Sequence, residues 1–169
     1  MEIVYRSADV SDAENLLLYL KKVGSETDNL SYGSAGFRIS KESEERFIRR
    51  FQNDQNSLML VAVCDGEIVA NSSIESNRIL RYSHRAELSI TVLRDFWGRG
   101  IGTRLMKEMI DFSRGVGIEV LHLEVRSDNL RAKYLYEKFG FKKYATFHKF
   151  FKIDDEYYDA DFMNLYIQS

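Results

Sequence analysis

The chain contains no proline, one cysteine, one tryptophan and three histidines in 169 residues. A lone cysteine, Cys64, leaves no internal disulfide to form and fits a reducing cytoplasm. It closes the apolar run Leu58-Met59-Leu60-Val61-Ala62-Val63, which marks it for packing rather than for nucleophilic chemistry. The histidines and the cysteine follow no metal-ligand spacing, so no metal is expected. The absence of proline argues against a hinge of the usual kind, and no repeat, linker or low-complexity tract divides the sequence. No apolar run reaches membrane-span length, and no signal peptide or lipidation motif is seen. The expectation is a cytoplasmic protein with no membrane partner. Nor is there an excess of one charge: 24 Lys and Arg stand against 26 Asp and Glu, for a net charge of −2. Without a basic patch, nucleic acid is not an expected partner. The slight acidity suits a cationic amine.

What is present is an ordinary globular composition, 44% hydrophobic and 30% charged. It is long enough for a substantial core, and one domain over 1–169 is expected. Residues 2–6 read as a strand, and Ser11 or Asp12 is placed to cap a helix carrying Leu16, Leu17, Leu20 and Val23. A polar stretch follows, then a helix over 41–53. Strands at 58–64 and 67–75 flank the turn signal Asp65-Gly66. Further strands are expected at 86–93 and 119–125, and a second hairpin, 141–152 with 157–167, turns at Asp154-Asp155-Glu156.

Two segments carry chemistry. In the first, Leu88, Ile90 and Val92 alternate with polar residues as in a half-buried strand, while Ile101, Leu105, Met109 and Phe112 recur at helical spacing. Between them lies Trp97-Gly98-Arg99-Gly100-Ile101-Gly102-Thr103. Glycines at a strand-to-helix junction point to anion binding. The first-turn N–H groups lack backbone partners, the helix dipole is positive there, and missing Cβ atoms let phosphate oxygens approach. A dinucleotide fingerprint needs glycine where Thr103 stands, and no Gly-Lys-Ser/Thr of a P-loop occurs. In the second segment, the strand Val120–Val125 leads through Arg126-Ser127-Asp128 into a helix from Asn129 to Lys138, with Gly140 suited to its C-terminal cap. Asn129 and Tyr136 lie two helical turns apart and share a face.

These segments resemble motifs A and B of the GNAT superfamily of acetyl-CoA-dependent N-acetyltransferases. The family pattern Gln/Arg-x-x-Gly-x-Gly/Ala is met at Gly100 and Gly102, while Trp97 departs from its first position. Motif B, Asn followed by Leu-Tyr-Glu-Lys-x-Gly-Phe, is matched from Asn129 to Phe141, and Leu123-Glu124-Val125-Arg126 is similar to a segment of the ribosomal-protein N-terminal acetylases. The resemblance spans about residues 84–143.

It implies an α/β (α+β) GNAT fold: a mixed sheet of about seven strands, splayed between the fourth and fifth and flanked by about four helices. It implies acetyl-CoA as cosubstrate and no metal. Ile90, Thr91 and Val92 would hold the pantetheine arm, the Val92 N–H polarising the thioester carbonyl. Gly98, Arg99, Gly100, Ile101, Gly102 and Thr103 would cradle the pyrophosphate, and Asn129 matches the family's coenzyme-binding asparagine. Tyr136 matches the general acid. For the base the resemblance offers Glu124 or Glu87, with a water chain as a third route, and His84 lies just before the fourth strand. The acceptor would be a small-molecule or peptide amine. Its wall would come from Glu26, Asp28, Asn29 and Tyr32 in the loop and from Tyr144, Phe147, Phe150, Phe151, Tyr157 and Tyr158 in the hairpin. Members often form homodimers, although no interface is marked here. The competing readings are a non-catalytic acyl-CoA sensor and a transferase of another acyl group.

Overall fold

A computed structural model describes residues 2–167. The elements run β1 (Ile3–Ser7), α1 (Ala13–Glu26), α2 (Lys41–Gln52), β2 (Leu58–Cys64), β3 (Glu67–Ser76) and β4 (Arg85–Val92). They continue with α3 (Ile101–Gly115), β5 (Val120–Arg126), α4 (Leu130–Lys138), β6 (Lys142–Ile153) and β7 (Glu156–Tyr166). All strands join one 7-stranded sheet in the order β1-β2-β3-β4-β5-β7-β6. Every neighbouring pair is antiparallel except β4 and β5, which are parallel. This is the expected mixed sheet, with element limits close to those read from the sequence.

The first helix begins differently. Asp9, rather than Ser11 or Asp12, does the capping, in a short 3-10 turn over Val10–Asp12 that precedes α1. The Asp9 carboxylate accepts from the Ser11 N–H at 2.9 Å. Asp12 is unavailable because both its oxygens are engaged by Arg6, at 2.6 and 2.8 Å, and one also accepts from the Asp9 N–H. A residue read as a cap thus fastens β1 to the start of α1.

The two sheet faces differ in kind. Ala86 and Leu88 of β4, Ile74 of β3, and Leu121 and Leu123 of β5 belong to the buried core, together with Leu105, Met106 and Met109 of α3. On the other face β3 carries Asn71, Ser73 and Glu75, and β4 carries Glu87, Ser89 and Thr91, by strict alternation. That polar face lies against α1 and α2: the Tyr19 hydroxyl meets Thr91 Oγ1 at 2.8 Å, and Arg50 pairs with Glu75 at 2.5 Å. The right-handed β4–α3–β5 crossover puts α3 on the apolar face. A sheet face covered by helices yet polar is a poor packing surface and a good ligand surface.

Candidate active site

Pairing between β4 and β5 is limited to Arg85 with Val120, Ala86 with Leu121 and Glu87 with His122. Beyond that point β4 runs on to Val92 and β5 to Arg126 without pairing to each other. The divergence leaves a gap at the C-terminal ends of two parallel strands, where open sheets commonly bind ligands. The Leu93 N–H is bonded to the Val69 carbonyl at 3.0 Å, so by alternation the backbone of Val92 and Ile90 turns away from β3 and toward the gap. Thr91 has the opposite sense, with its hydroxyl on Tyr19.

A groove of about 560 Å³ follows this gap. It gathers Glu87, Ile90, Thr91, Glu124, Asn129 and Tyr136, residues that the sequence reading placed in one site. Asn29, Tyr32 and Phe151 line it as well. The other loop and hairpin residues have different surroundings. Glu26 accepts from the Arg94 N–H at 2.7 Å, tying the end of α1 to the end of β4. The Asp28 carbonyl accepts from Arg126. Phe147 and Phe150 pack with Phe162, Tyr144 also meets Phe162, and Tyr158 stacks under Arg126 at 3.9 Å. Lys149 lies over Tyr157 at 5.0 Å. His84 uses its carbonyl to receive the Glu119 N–H, and the histidine beside the carboxylates is His122 on β5. Sequence reading did not single out His122, Glu44, Glu75 or Phe47. Only the strand register brings Glu75 directly opposite Glu87.

Asn129 caps α4, its Oδ1 accepting from the Ala132 N–H at 3.2 Å. The helix ends in a Schellman arrangement: the Phe141 N–H reaches the Tyr136 carbonyl at 3.1 Å and the Gly140 N–H reaches the Glu137 carbonyl at 3.0 Å. Gly140 supplies the required left-handed backbone at φ +95°. The Phe141 ring then lies 5.8 Å from the Tyr136 ring, which fixes the phenol from behind. Burial pushes the Tyr136 hydroxyl up to about 12.

Past the groove, Gly98 and Gly100 take φ of +75° and +77°, and Gly100 begins α3 with no side-chain cap. The first ladder bond of α3 joins the Arg104 N–H to the Gly100 carbonyl at 2.9 Å, so the N–H groups of Ile101, Gly102 and Thr103 precede it. A Cβ on Gly98 or Gly100 would stand in open space, whereas one on Gly102 would lie 3.2 Å from Leu135 Cδ2. The glycines therefore divide the work. Gly98 and Gly100 set the backbone, and Gly102, read as making room for phosphate, makes room for α4. An uncapped helix start beside Arg99 fits a pyrophosphate.

The profile described as the Acetyltransferase (GNAT) family matches residues 27–141. The chain belongs to that family. This acetyltransferase is 30% identical over 127 residues to the L-amino acid N-acetyltransferase AaaT of Escherichia coli strain K12, covering 75% of this chain and 78% of the relative. A GNAT acetyltransferase structure from Streptococcus pneumoniae superposes with a TM-score of 0.94 at 28% identity, covering 98% of this chain and 100% of the other. A putative acetyltransferase from Salmonella typhimurium, solved with its cofactor acetyl-CoA, shares the fold at a TM-score of 0.86 and 19% identity. It covers 100% of this chain and 96% of its own.

Within the acetyltransferase's groove the carboxylates are not equivalent. Burial raises Glu124 above the ordinary carboxylate range, and the negative charge of Glu87 raises it further. Burial also lowers His122, against the opposing pull of Glu87 and with a smaller push from Arg85. Trp97, the departure from the family pattern, donates its indole N–H to the Val92 carbonyl at 2.8 Å. Arg131 of α4 stacks on the same ring at 4.5 Å and Arg94 at 5.7 Å. Among the described residues no metal-binding cluster of His, Cys, Asp or Glu occurs, and no helix is long and apolar enough to cross a membrane.

Proposed function

We propose that this acetyltransferase moves the acetyl group of acetyl-CoA to a primary amine by direct attack. The observation that carries the reading is the divergence of β4 and β5 over a groove lined by Glu124, Glu87, Asn129 and Tyr136. Acetyl-CoA supplies the acyl thioester when bound. The N–H groups of Ile101, Gly102 and Thr103 hold its pyrophosphate, and the exposed backbone edge at Ile90 and Val92 receives the arm.

Glu124, with its raised proton affinity, takes the proton of the attacking ammonium, which leaves a neutral nitrogen lone pair. The Val92 N–H faces the side on which negative charge develops at the carbonyl oxygen, and a donor so placed contributes on the order of 3 kcal/mol. A carbon–nitrogen bond forms, the carbon–sulfur bond breaks, the Tyr136 hydroxyl delivers its proton to the departing sulfur, and the second proton shed by the acylated nitrogen restores the phenol. The Tyr136 hydroxyl, pushed up to about 12 by burial, carries its proton throughout the neutral range. A sensor that only binds acyl-CoA has no use for such an acid.

The test has two arms. Acetyl-CoA should raise the melting temperature of the wild type, and Gly100→Val, which forces a β-branched residue to φ +77°, should lose that rise. Thiol release should depend on added amine. A Gly100→Val protein with the full rise would remove the cradle, and thiol release indifferent to every amine would remove the transfer.

A further inference from the structure

The Glu44 carboxylate has no part in this chemistry. Glu44 lies in the first turn of α2, lines the groove, and is only 4% exposed. No hydrogen bond or ion pair reaches its carboxylate among the described residues. Among the described residues Ser72 Oγ is the fully inaccessible polar side-chain atom without a partner, so the Glu44 carboxylate, which lines the groove, is not completely sealed off. A charged group this buried is costly unless something pairs with it.

Its neighbours define the charge of the missing partner. Glu75, Glu87 and Glu124 line the same groove, and its lining includes no lysine, arginine or histidine among the described residues. The nearby cation, Arg50, is held by Glu75 at 2.5 Å. An acceptor carrying an α-carboxylate would meet Glu44, Glu87 and Glu124, with the adjacent cation already spent on Glu75. Between the acids the walls are apolar and aromatic, and Phe37, Ile39 and Phe47 leave their faces exposed at the rim.

We propose that Glu44 receives a second ammonium group on the acceptor, so that the acceptor is an aliphatic diamine or polyamine without a carboxylate. Its reacting nitrogen lies at Glu124, its distal nitrogen at Glu44, and its methylene chain against Phe37 and Ile39. The inference rests on the transfer reading above and adds to it the class of acceptor and the residue that selects it.

The test compares α,ω-diaminoalkanes of increasing length with the matching alkylamines and with free amino acids. In the wild type, kcat/KM for the best diamine should exceed that of its monoamine by about tenfold, the factor a charge-assisted hydrogen bond confers. Glu44→Gln should bring that ratio close to one, chiefly by raising KM for the diamine, and Glu44→Asp should keep part of it. The Glu44→Gln protein should melt no lower than the wild type, since it loses an unpaired buried charge. A ratio unchanged in Glu44→Gln, or amino acids preferred over diamines, would overturn the assignment.

Calorimetric titration of the diamine into protein saturated with coenzyme A separates the two readings. Binding that needs Glu44 without turnover of any amine would keep the subsite and remove the transfer. Equal turnover of diamines and monoamines would keep the transfer and remove the subsite.

Discussion

The two ends of the candidate site, the acidic groove and the glycine turn beyond it, are built in opposite ways. At the α3 end the proposed ligand groups are backbone amides from one continuous segment, Gly98 to Thr103, with Arg94 and Arg131 stacked on Trp97 beside it. At the other end Glu44, Glu75, Glu87 and Glu124 come from α2, β3, β4 and β5. One end favours anions by helix dipole and guanidinium, and the other favours cations by carboxylate. In the proposed transfer, a site with this polarity orients an anionic coenzyme and a cationic acceptor before any contact with the reacting atoms is made. The net charge of −2 conceals the separation entirely. Charge placed by topology, rather than charge summed over the chain, carries the functional information.

Tyr136 stands between the two ends and belongs to neither, which makes it the place where the comparison breaks most sharply. Tyr136→Phe removes one oxygen and keeps the ring against Phe141. The expected loss in kcat is about 100-fold or more, the usual scale for a positioned acid. The melting-temperature rise with acetyl-CoA should persist, because the amide end is untouched. With the phenol pushed up to about 12, wild-type activity should also show no alkaline decline from this group below pH 10 or so. Equal turnover in the two proteins would return Tyr136 to a packing role.

A smaller effect is expected at Trp97. Its indole N–H satisfies the Val92 carbonyl and its ring carries Arg131, so one side chain joins β4, the glycine turn and α4. Trp97→Phe keeps a surface for the guanidinium and deletes the donor. Urea unfolding should show a loss of about 1 kcal/mol, the usual net value of one hydrogen bond. A loss several times larger would mean that the ring, rather than the donor, organises the amide end. The residue that departs from the family pattern thus exchanges a polar contact at the cradle's edge for a brace.

The amide end was legible in the sequence because its parts are contiguous. Glycine spacing, the alternation before it and the helical period after it all lie between Leu88 and Phe112. The same holds for Asn129, Tyr136 and Gly140, which share one short helix and its caps. Element order and limits followed from the family resemblance and from alternation, whereas the order of strands in the sheet came only with the structure.

The acidic end was only half legible. Glu44 sits in Lys41–Gln52 at helical spacing from Ile48 and Phe51, which puts it on the buried face while Glu42 and Glu45 lie off it, but a glutamate on that face reads as a solvated helix residue until the groove is seen. Glu75 meets Glu87 only through a register that pairs residues far apart in the chain. Asp12 and Gly102 show the same limit at smaller scale. Each had a sound local role available, capping or phosphate approach, and each is used for a tertiary contact, with Arg6 and Leu135 respectively.

The subtlest test lies within the acidic end, between Glu87 and Glu124. Burial is the larger reason that Glu124 holds its proton more tightly than an ordinary glutamate, and the Glu87 charge is the lesser one. Glu87→Gln removes only the second. If Glu124 is the base, activity rises with pH as it ionises, so the acidic limb of kcat/KM should move to lower pH by less than about one unit, with the plateau largely retained. The sign follows from the charge: without a neighbouring negative carboxylate, ionised Glu124 is less disfavoured and its proton leaves earlier. His122 should shift the same way, since Glu87 opposes the lowering imposed by burial. A buried histidine already lowered becomes still harder to protonate, and it adds no new limb near neutrality. Were Glu87 itself the base, the plateau would collapse with no displaced limb to follow. A pH profile of this one variant therefore assigns the base between two carboxylates that share one sheet face.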